Sequence, residues 1–343
     1  MRPGMTRRRF AGLAAGVAIG LRQGSGFAQP ATPVSGGKLT IYCGRNKRLV
    51  SDLMPKISAA TGIDLDVRFG NTAELAAQIL EEGKNTPAGL YFCQDAGALG
   101  ALARANRFAP IPTDLLDKVS PQFRSPEGIW IGLSGRVRVL IYNPNVTNPA
   151  TLPKRIIDLP KMTLNGPIGW APTNAPFQSF ITALRVVYGE DGAREWLEGV
   201  IATNPITFDD NGPAVQAVAR EEVAVGLVNH YYLYEARHET PDIPLENYYF
   251  PGGDVGSLVN VGGAGIISGS GQEAEAAAVI AYLLGSEAQT YFAEETLEYP
   301  LAAGVPALPE LVPFSDIEAP DIDLTDLADL EGTLKLLTEV GLI

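Results

Sequence analysis

An alternation of strand-like and helix-like segments follows residue 37 and limits the folds that this chain can adopt. The runs KLTIYC, GIDLDVRFG and AGLYFC are apolar or alternating, as in β-strands. Each run is followed by a segment with apolar residues at three- and four-residue steps, which is typical of a helix. Because a repeated strand–helix order builds parallel sheets covered by helices, we predict an α/β fold with a mostly parallel sheet.

A second α/β pattern begins near residue 165, after the long extended segment GIWIGLSGRVRVLIYNPN. The helical run APFQSFITALRVVYG starts at Thr173 or Asn174, and the buried strand VAVGLVN passes directly into another helix. Two α/β halves joined by extended crossings predict a two-lobed binding protein with a hinge and an interlobe cleft. The predicted parts are residues 38–135 with 262–315 as one lobe, 136–261 as the other, and 316–343 as a C-terminal wrap and helix.

The first 28 residues have the features of an export signal. TRRRF, resembling a twin-arginine signal, precedes a weakly apolar stretch from Ala11 to Leu21, and cleavage after Ala28 leaves small residues at the required positions. Removing residues 1–28, which hold five arginines and no acid, moves the formal charge from −13 to −18. We therefore predict a periplasmic or extracytoplasmic protein without a nucleic-acid partner.

The only two cysteines, Cys43 and Cys93, both end strand-like runs. A lone pair in an exported protein is often a disulfide. If the two strands are parallel neighbours, the sulfurs lie within bridging distance. A disulfide, two unpaired thiols and a thiolate site for a soft metal remain open alternatives.

Polar residues follow several predicted strands, where ligands of open α/β sheets bind. We expect these segments to converge on one cleft: Cys43-Gly44-Arg45-Asn46, Gln94-Asp95, Pro172-Thr173-Asn174 and Asn229-His230-Tyr231-Tyr232.

Eight segments, in order across nearly the whole mature chain, carry a family resemblance. They are LTIYCGRNKRLV, TAELAAQILEEG, AGLYFCQDAGALGAL, GLSGRVRVLIYNP, APTNAPFQSFITALR, VAVGLVNHYYLY, GGAGII and EYPL. In these segments the chain resembles the periplasmic ferric-ion-binding proteins that serve ABC iron importers. The resemblance implies a monomer with transferrin-like lobes that close on Fe³⁺ and a membrane permease of an ABC importer as its partner.

In that family two adjacent tyrosines bind iron through both phenolate oxygens, and they match Tyr231 and Tyr232. The chemistry agrees, because hard cations prefer oxygen ligands and a bound cation favours the deprotonated phenol. The chain departs from the family at three other ligand positions. Asn46 replaces a histidine, Gln94 replaces a glutamate, and Ala175 stands where some members have a third tyrosine. Asn46 and Gln94 offer only neutral carbonyl oxygens and are therefore weak candidate ligands.

A synergistic anion, carbonate or phosphate in the family, would fill the open positions on the metal. The helix start at Thr173, Asn174 and Ala175 presents free N–H groups and a positive dipole end. Asn211 and Asn229 match anion-contacting positions of the family. Arg136 and Arg138 alternate on one strand face and can hold an anion bidentately.

An enzymatic function is not supported by the sequence. Ser134 lies outside a nucleophile-elbow pattern, and Asp209-Asp210-Asn211 lacks the remaining ligands of a calcium loop. Two alternatives stay open beside iron binding. One is a different solute, such as a polyamine, thiamine, sulfate or an organophosphonate, and the other is an extracytoplasmic sensor module.

Overall fold

Strand β1 (Lys38–Cys43) lies between two parallel neighbours. β2 (Asp64–Phe69) pairs with one edge of it and β3 (Leu90–Cys93) with the other. This is the arrangement that the strand–helix alternation predicts, because parallel strands need a crossover connection. The computed structural model describes residues 36–343, so the predicted export signal, residues 1–28, lies outside the described residues.

The remaining elements follow the predicted order, with short strands and 3₁₀ turns added. The strands are β4 (Ile131–Tyr142), β5 (Ile168–Trp170), β6 (Ile206–Thr207), β7 (Val225–Asn229), β8 (Glu246–Tyr248), β9 (Val259–Ile266) and β10 (Tyr299–Pro300). The helices are α1 (Lys47–Val50), α2 (Leu53–Thr61), α3 (Thr72–Glu82), α4 (Ala96–Arg104), α5 (Thr113–Leu116), α6 (Ala175–Ala202), α7 (Asn211–Ala219), α8 (Tyr231–Glu239), α9 (Glu273–Leu283), α10 (Ser286–Glu294) and α11 (Leu330–Glu339). None of these helices is both long enough and apolar enough to cross a membrane.

Beyond β3 the sheet is mixed, which differs from the mostly parallel sheet predicted. β9 runs antiparallel to β3 on one side and to β4 on the other. The pairing of β4 changes partway along its length: Ile131 to Val137 pair with β9, whereas Arg138 to Tyr142 pair with β7. β4 therefore leaves the first group of strands and enters a second one at Arg138.

The second group of strands combines both directions. β7 and β6 run parallel to β5, while β7 and β8 run antiparallel to β4. β10 returns to the first part of β4, where Tyr299 lies opposite Gly135. As a result, Glu298 lies beside the point where β4 changes partners.

Local end signals explain several helix boundaries. Asn71 caps α3 by accepting hydrogen bonds from the backbone N–H groups of Ala73 and Glu74, and Gly83 follows the last helical residue. The long helix α6 is two helices in sequence. Gly189, at φ +76°, interrupts it in a conformation that favours glycine.

The disulfide considered for Cys43 and Cys93 does not form, and both are buried free thiols. Their strands are indeed parallel neighbours, but the register pairs Cys43 with Phe92. Because successive side chains of a strand point to opposite faces, Cys93 lies on the face opposite to Cys43. An offset of one residue therefore keeps the two sulfurs apart.

Candidate functional site

The adjacent tyrosines stand where the buried strand β7 passes into helix α8. The helix begins at Tyr231, directly after the strand end Asn229 and the single linking residue His230. The rings of Tyr231 and Tyr232 stack with centroids 4.5 Å apart and planes at 28°. Tyr231 is 4% exposed. The two phenols are thus held side by side by the strand–helix junction.

His230 connects this junction to β4 through hydrogen bonds. Its backbone N–H donates to the Val137 carbonyl at 2.9 Å, and its Nδ1 accepts from the Val137 N–H at 3.2 Å. The imidazole also stacks on Tyr299, with ring centroids 4.7 Å apart. Burial lowers the pKa of His230 to about 3, so the imidazole is neutral. His230 therefore positions the tyrosine pair.

Both phenols resist ionisation in the absence of a cation. Burial raises the pKa of Tyr231, against an opposing effect of the Arg136 guanidinium. Burial also raises the pKa of Tyr232, and the neighbouring charges of Tyr231 and Asp210 raise it further. A bound cation reverses this preference, because it stabilises the phenolates directly. The chemistry of this donor pair fits a hard metal ion.

The hydroxyl of Tyr232 joins a polar cluster at the starts of α6 and α7. It donates to Asp210 Oδ1 at 3.4 Å, and Asn174 Nδ2 donates to the same oxygen at 3.0 Å. Asn211 Nδ2 donates to Asn174 Oδ1 at 3.4 Å. The structure thus brings together three predicted residues, Tyr232, Asn174 and Asn211. The cluster also contains Asp210, which the sequence analysis considered only as part of a calcium loop.

Five predicted site residues line a cavity of about 490 Å³ next to this cluster. They are Asn46, Gln94, Thr173, Asn174 and Ala175, and Asp210 lines the same cavity. The segments that follow β1, β3 and β5 therefore converge, as expected for the carboxyl ends of strands. The rings of Tyr231 and Tyr232 are not part of this lining. Tyr232 meets it through its hydrogen bond to Asp210.

The two weak candidate ligands, Asn46 and Gln94, differ in whether their side chains already form a hydrogen bond. Asn46 is exposed and caps α1, since its Oδ1 accepts the Arg48 backbone N–H at 3.0 Å. A metal would have to compete with that hydrogen bond. Gln94 is half-buried and faces the cavity, with no side-chain hydrogen bond among the described residues.

The start of α6 has the features of an anion site. Asn174 is its N-cap residue in an extended conformation, and Ala175 is the first helical residue. Backbone N–H groups of a first turn lack helical acceptors and carry a partial positive charge. Pro176 removes one of these donors and, with φ fixed by its ring, suits the first turn.

Arg136 and Arg138 reach a second, much smaller cavity of about 10 Å³ together with Asn229 and Asn260. The two arginines are only 2% and 3% exposed. Each of the four side chains has at least one buried N–H without an acceptor among the described residues. Asn260, which lies opposite Arg136 in the β4–β9 register, was missed because one Asn in a Gly-rich strand carries no signal by itself. These donors favour an anionic partner, but the cavity in this conformation has room for only about one water molecule.

Arg138 differs from Arg136 in having no carboxylate partner among the described residues. Its Nη2 donates to the Leu227 carbonyl at 2.7 Å, and its guanidinium lies 5.6 Å from the ring centroids of Phe177 and Phe180. Burial lowers the pKa of Arg138 to about 9. The charges of Tyr232 and Tyr231 act in the opposite direction, so ionised tyrosines would stabilise this cation.

Arg45 and Glu298 form a buried ion pair that the sequence interpretation missed. Arg45 Nη2 lies 2.8 Å from Glu298 Oε2, and Ser134 Oγ donates to the same oxygen. Arg136 Nε lies 3.8 Å from the other carboxylate oxygen. Both segments, CGRN and EYPL, carry the family resemblance, but only the fold brings them into contact.

Comparison with known proteins places these features in a family. A model described as "Bacterial extracellular solute-binding protein" matches residues 87–323. The chain belongs to this bacterial extracellular solute-binding protein family. The resemblance to periplasmic ferric-ion-binding proteins is confirmed by relatives that carry that description.

One such relative is the Fe(3+)-binding periplasmic protein of Serratia marcescens. It is 31% identical over 308 residues, which cover 89% of this chain and 90% of the relative. Iron-bound HitA of Pseudomonas aeruginosa is 32% identical with a TM-score of 0.82, covering 89% of this chain and 99% of that structure. A Trichodesmium protein in complex with iron and citrate is 28% identical with a TM-score of 0.78, covering 90% and 100%. The likeness to such structures confirms the two-lobed α/β fold.

Proposed function

We propose that this protein captures Fe³⁺ outside the cytoplasm and delivers it to an ABC importer. The observation that carries the proposal is the stacked pair Tyr231 and Tyr232, held at a strand–helix junction beside a polar cavity that Asp210 lines. The names of the relatives support iron as the solute. They also support a periplasmic location and a non-enzymatic role in transport. We further propose that residues 1–28 are a twin-arginine-like export signal. The mature protein would be a monomer, and its partner would be the membrane permease of the importer.

In this mechanism Tyr231 and Tyr232 each lose a proton and bind the ion as phenolates. Two phenolates leave one positive charge on Fe³⁺ and leave coordination positions open. Gln94, with no side-chain partner among the described residues, is a better neutral ligand than Asn46, which caps α1. Water can occupy any position that these amides leave free.

Carbonate or phosphate would bind as the synergistic anion. The α6 start at Thr173, Asn174 and Ala175 offers backbone donors, and Asn211 adjoins it through Asn174. The orphan donors of Arg136, Arg138 and Asn229 supply positive charge and hydrogen bonds at the second cavity. Buried donors without acceptors are costly, so an anion that pairs them is strongly favoured.

Capture would involve closure of the two lobes around the ion. The lobe boundaries proposed from the sequence, near residues 136 and 262, fall close to the change of partners of β4 at Arg138. A few strand residues at such a crossing can absorb the rotation of one lobe against the other. Ligand that binds better to the closed form shifts the population towards it.

Metal analysis of the exported protein tests the proposal. About one iron per chain and a visible phenolate-to-iron band on adding Fe³⁺ with carbonate or phosphate are expected. A protein that takes up no iron under these conditions contradicts it.

A second candidate, an oxyanion such as sulfate or an organophosphonate as the solute, is favoured by one observation. Among the described residues, four buried side chains at the small cavity have N–H groups without acceptors: Arg136, Arg138, Asn229 and Asn260. Because this cavity of about 10 Å³ has room for about one water molecule, an oxyanion would have to widen it. Calorimetric titration of the iron-free protein with sulfate discriminates between the two. Micromolar binding without metal supports the second candidate, whereas anion binding only in the presence of iron supports the first.

A further inference from the structure

Asp210 occupies a position that joins the tyrosine pair to the cavity. It is the N-cap residue of α7, where its Oδ1 accepts the backbone N–H of Asn211 at 2.7 Å. The same oxygen accepts from Asn174 Nδ2 at 3.0 Å and from the Tyr232 hydroxyl at 3.4 Å. Among the described residues, Oδ2 has no hydrogen-bond partner. Asp210 is exposed and lines the 490 Å³ cavity.

Two other carboxylates near the cavity are engaged elsewhere, and a third does not reach the tyrosines. Glu298 is buried between Arg45, Ser134 and Arg136. Asp95 is also buried, and its Oδ1 accepts the Ala98 N–H at the start of α4. Asp209 borders the cavity but forms no hydrogen bond to a tyrosine in the part of the chain that the structure describes.

Beside the synergistic anion, the proposed iron site has no protein carboxylate at the position of Gln94, where other family members have a glutamate. Asn46 and Gln94 are neutral where other members of the family carry stronger ligands, so two phenolates leave Fe³⁺ with one uncompensated positive charge. Residues 36–343 contain no group of three His, Cys, Asp or Glu residues that could hold a metal. A carboxylate that binds the metal here would therefore act together with the tyrosines.

We propose that Asp210 is a direct metal ligand, supplying the third anionic oxygen beside Tyr231 and Tyr232. The inference rests on the proposed iron-binding function. The phenol oxygen of Tyr232 and Asp210 Oδ1 lie 3.4 Å apart. Oxygens bound to one small cation at roughly 2.0–2.2 Å each lie up to about 4 Å apart. A metal between these two oxygens needs only a small shift of either side chain.

A second observation points to a missing cation or donor at the same place. Asn211 follows Asp210, is fully buried, and has an Oδ1 without a donor among the described residues. Its Nδ2 contacts Asn174, which itself binds Asp210. A water bound to the metal would supply the donor that this oxygen lacks. One hydrated ion would then bind the Asp210 carboxylate and the Tyr232 oxygen, and its water would donate to Asn211 Oδ1.

The substitution Asp210→Asn removes the negative charge of the side chain but keeps its role as the N-cap of α7. Asn is as good an N-cap as Asp and keeps an acceptor for the Asn211 N–H, so α7 is preserved. Asp209→Asn is the matched control, since it removes the same charge one residue away. We expect Asp210→Asn to weaken Fe³⁺ binding at least tenfold in competition with citrate, and Asp209→Asn to weaken it less than threefold.

The visible absorption band provides a second readout. Replacing a carboxylate ligand by a neutral amide makes the iron more electron-poor, so the phenolate-to-iron band should shift to longer wavelength in Asp210→Asn but not in Asp209→Asn. Circular dichroism and melting of the iron-free variants verify folding, and Asp210→Ser provides a second capped variant without the carboxylate.

The outcomes distinguish the inference from the function on which it rests. No band in the unmodified protein overturns the proposed iron-binding function itself. A normal band in the unmodified protein, with equal affinity and equal band position in Asp210→Asn and Asp209→Asn, overturns only the role of Asp210.

Discussion

Arg45 and Glu298, 253 residues apart in the chain, meet in a buried ion pair of 2.8 Å. Each side chain is 1% exposed, and Arg136 and Ser134 complete the surroundings of the carboxylate. The pair ties the loop after β1 to the segment that enters β10. Removing one partner of such a pair leaves the other charge buried and uncompensated.

Glu298→Gln should therefore lower the free energy of unfolding by about 3–5 kcal/mol at pH 7, the usual cost of breaking a buried pair. Urea unfolding followed by circular dichroism measures the change. Glu295→Gln, an exposed acid nearby, serves as the control and should change stability by less than about 0.5 kcal/mol. Equal stabilities for the two variants would contradict the importance of the pair.

The same pair predicts a pH dependence. Burial alone would raise the pKa of Glu298, but Arg45 and Arg136 lower it below its ordinary value of 4.5. A depressed carboxylate pKa stabilises the fold above the unfolded value, and this contribution is lost as the pH falls through the lower folded value. The stability difference between the unmodified protein and Glu298→Gln should therefore be constant above pH 5 and shrink below pH 4.5. A difference that stays constant to pH 3 would be inconsistent with this assignment.

Arg138→Met should separate stability from binding. The substitution removes a buried cation without a carboxylate partner among the described residues and keeps an apolar chain against Phe177 and Phe180. The iron-free variant should be as stable as the unmodified protein or more stable, by up to about 3 kcal/mol. Its Fe³⁺ affinity in carbonate or phosphate should nevertheless fall at least tenfold. Thermal melting and chelator competition measure the two effects, and an unaffected affinity would exclude an anion role for Arg138.

The thiols Cys43 and Cys93 should be unreactive in the native protein. Burial raises the pKa of Cys43 to about 11 and that of Cys93 higher still, so neither supplies much thiolate. Ellman's reagent should label none of them at pH 8 before urea is added and two per chain afterwards. A tryptic peptide linking the two cysteines would instead support the disulfide that the register rules out.

Much of the fold was predictable from local sequence signals. The cap at Asn71, the glycine at 83 and the junction from β7 to α8 all lie where residue type and periodicity place them. The insertion of β9 between β3 and β4 was not predictable, because antiparallel pairing between distant strands leaves no local signal. The disulfide considered for Cys43 and Cys93 was wrong for a related reason, since a register offset of one residue moves a side chain to the opposite face of the sheet.

The candidate site was predictable in part. The resemblance pointed to Tyr231, Tyr232 and Asn211, and the strand ends pointed to Gln94 and Asn174, as candidate residues that stay predictions. Asp210, Asn260 and Glu298 were not predicted as site residues, because each is an ordinary polar residue within its own segment. Their significance depends on contacts between segments 22 to 253 residues apart.

Absorption titration of Tyr231→Phe and Tyr232→Phe with Fe³⁺ tests the central claim most directly. Each variant keeps the ring and its stacking but loses the oxygen that binds the ion, and Tyr234→Phe on the same helix is the control. We predict that either substitution abolishes the phenolate-to-iron band or weakens it, with at least a hundredfold loss of affinity, while Tyr234→Phe matches the unmodified protein. Full affinity and an unchanged band in both variants would show that the adjacent tyrosines do not bind the iron.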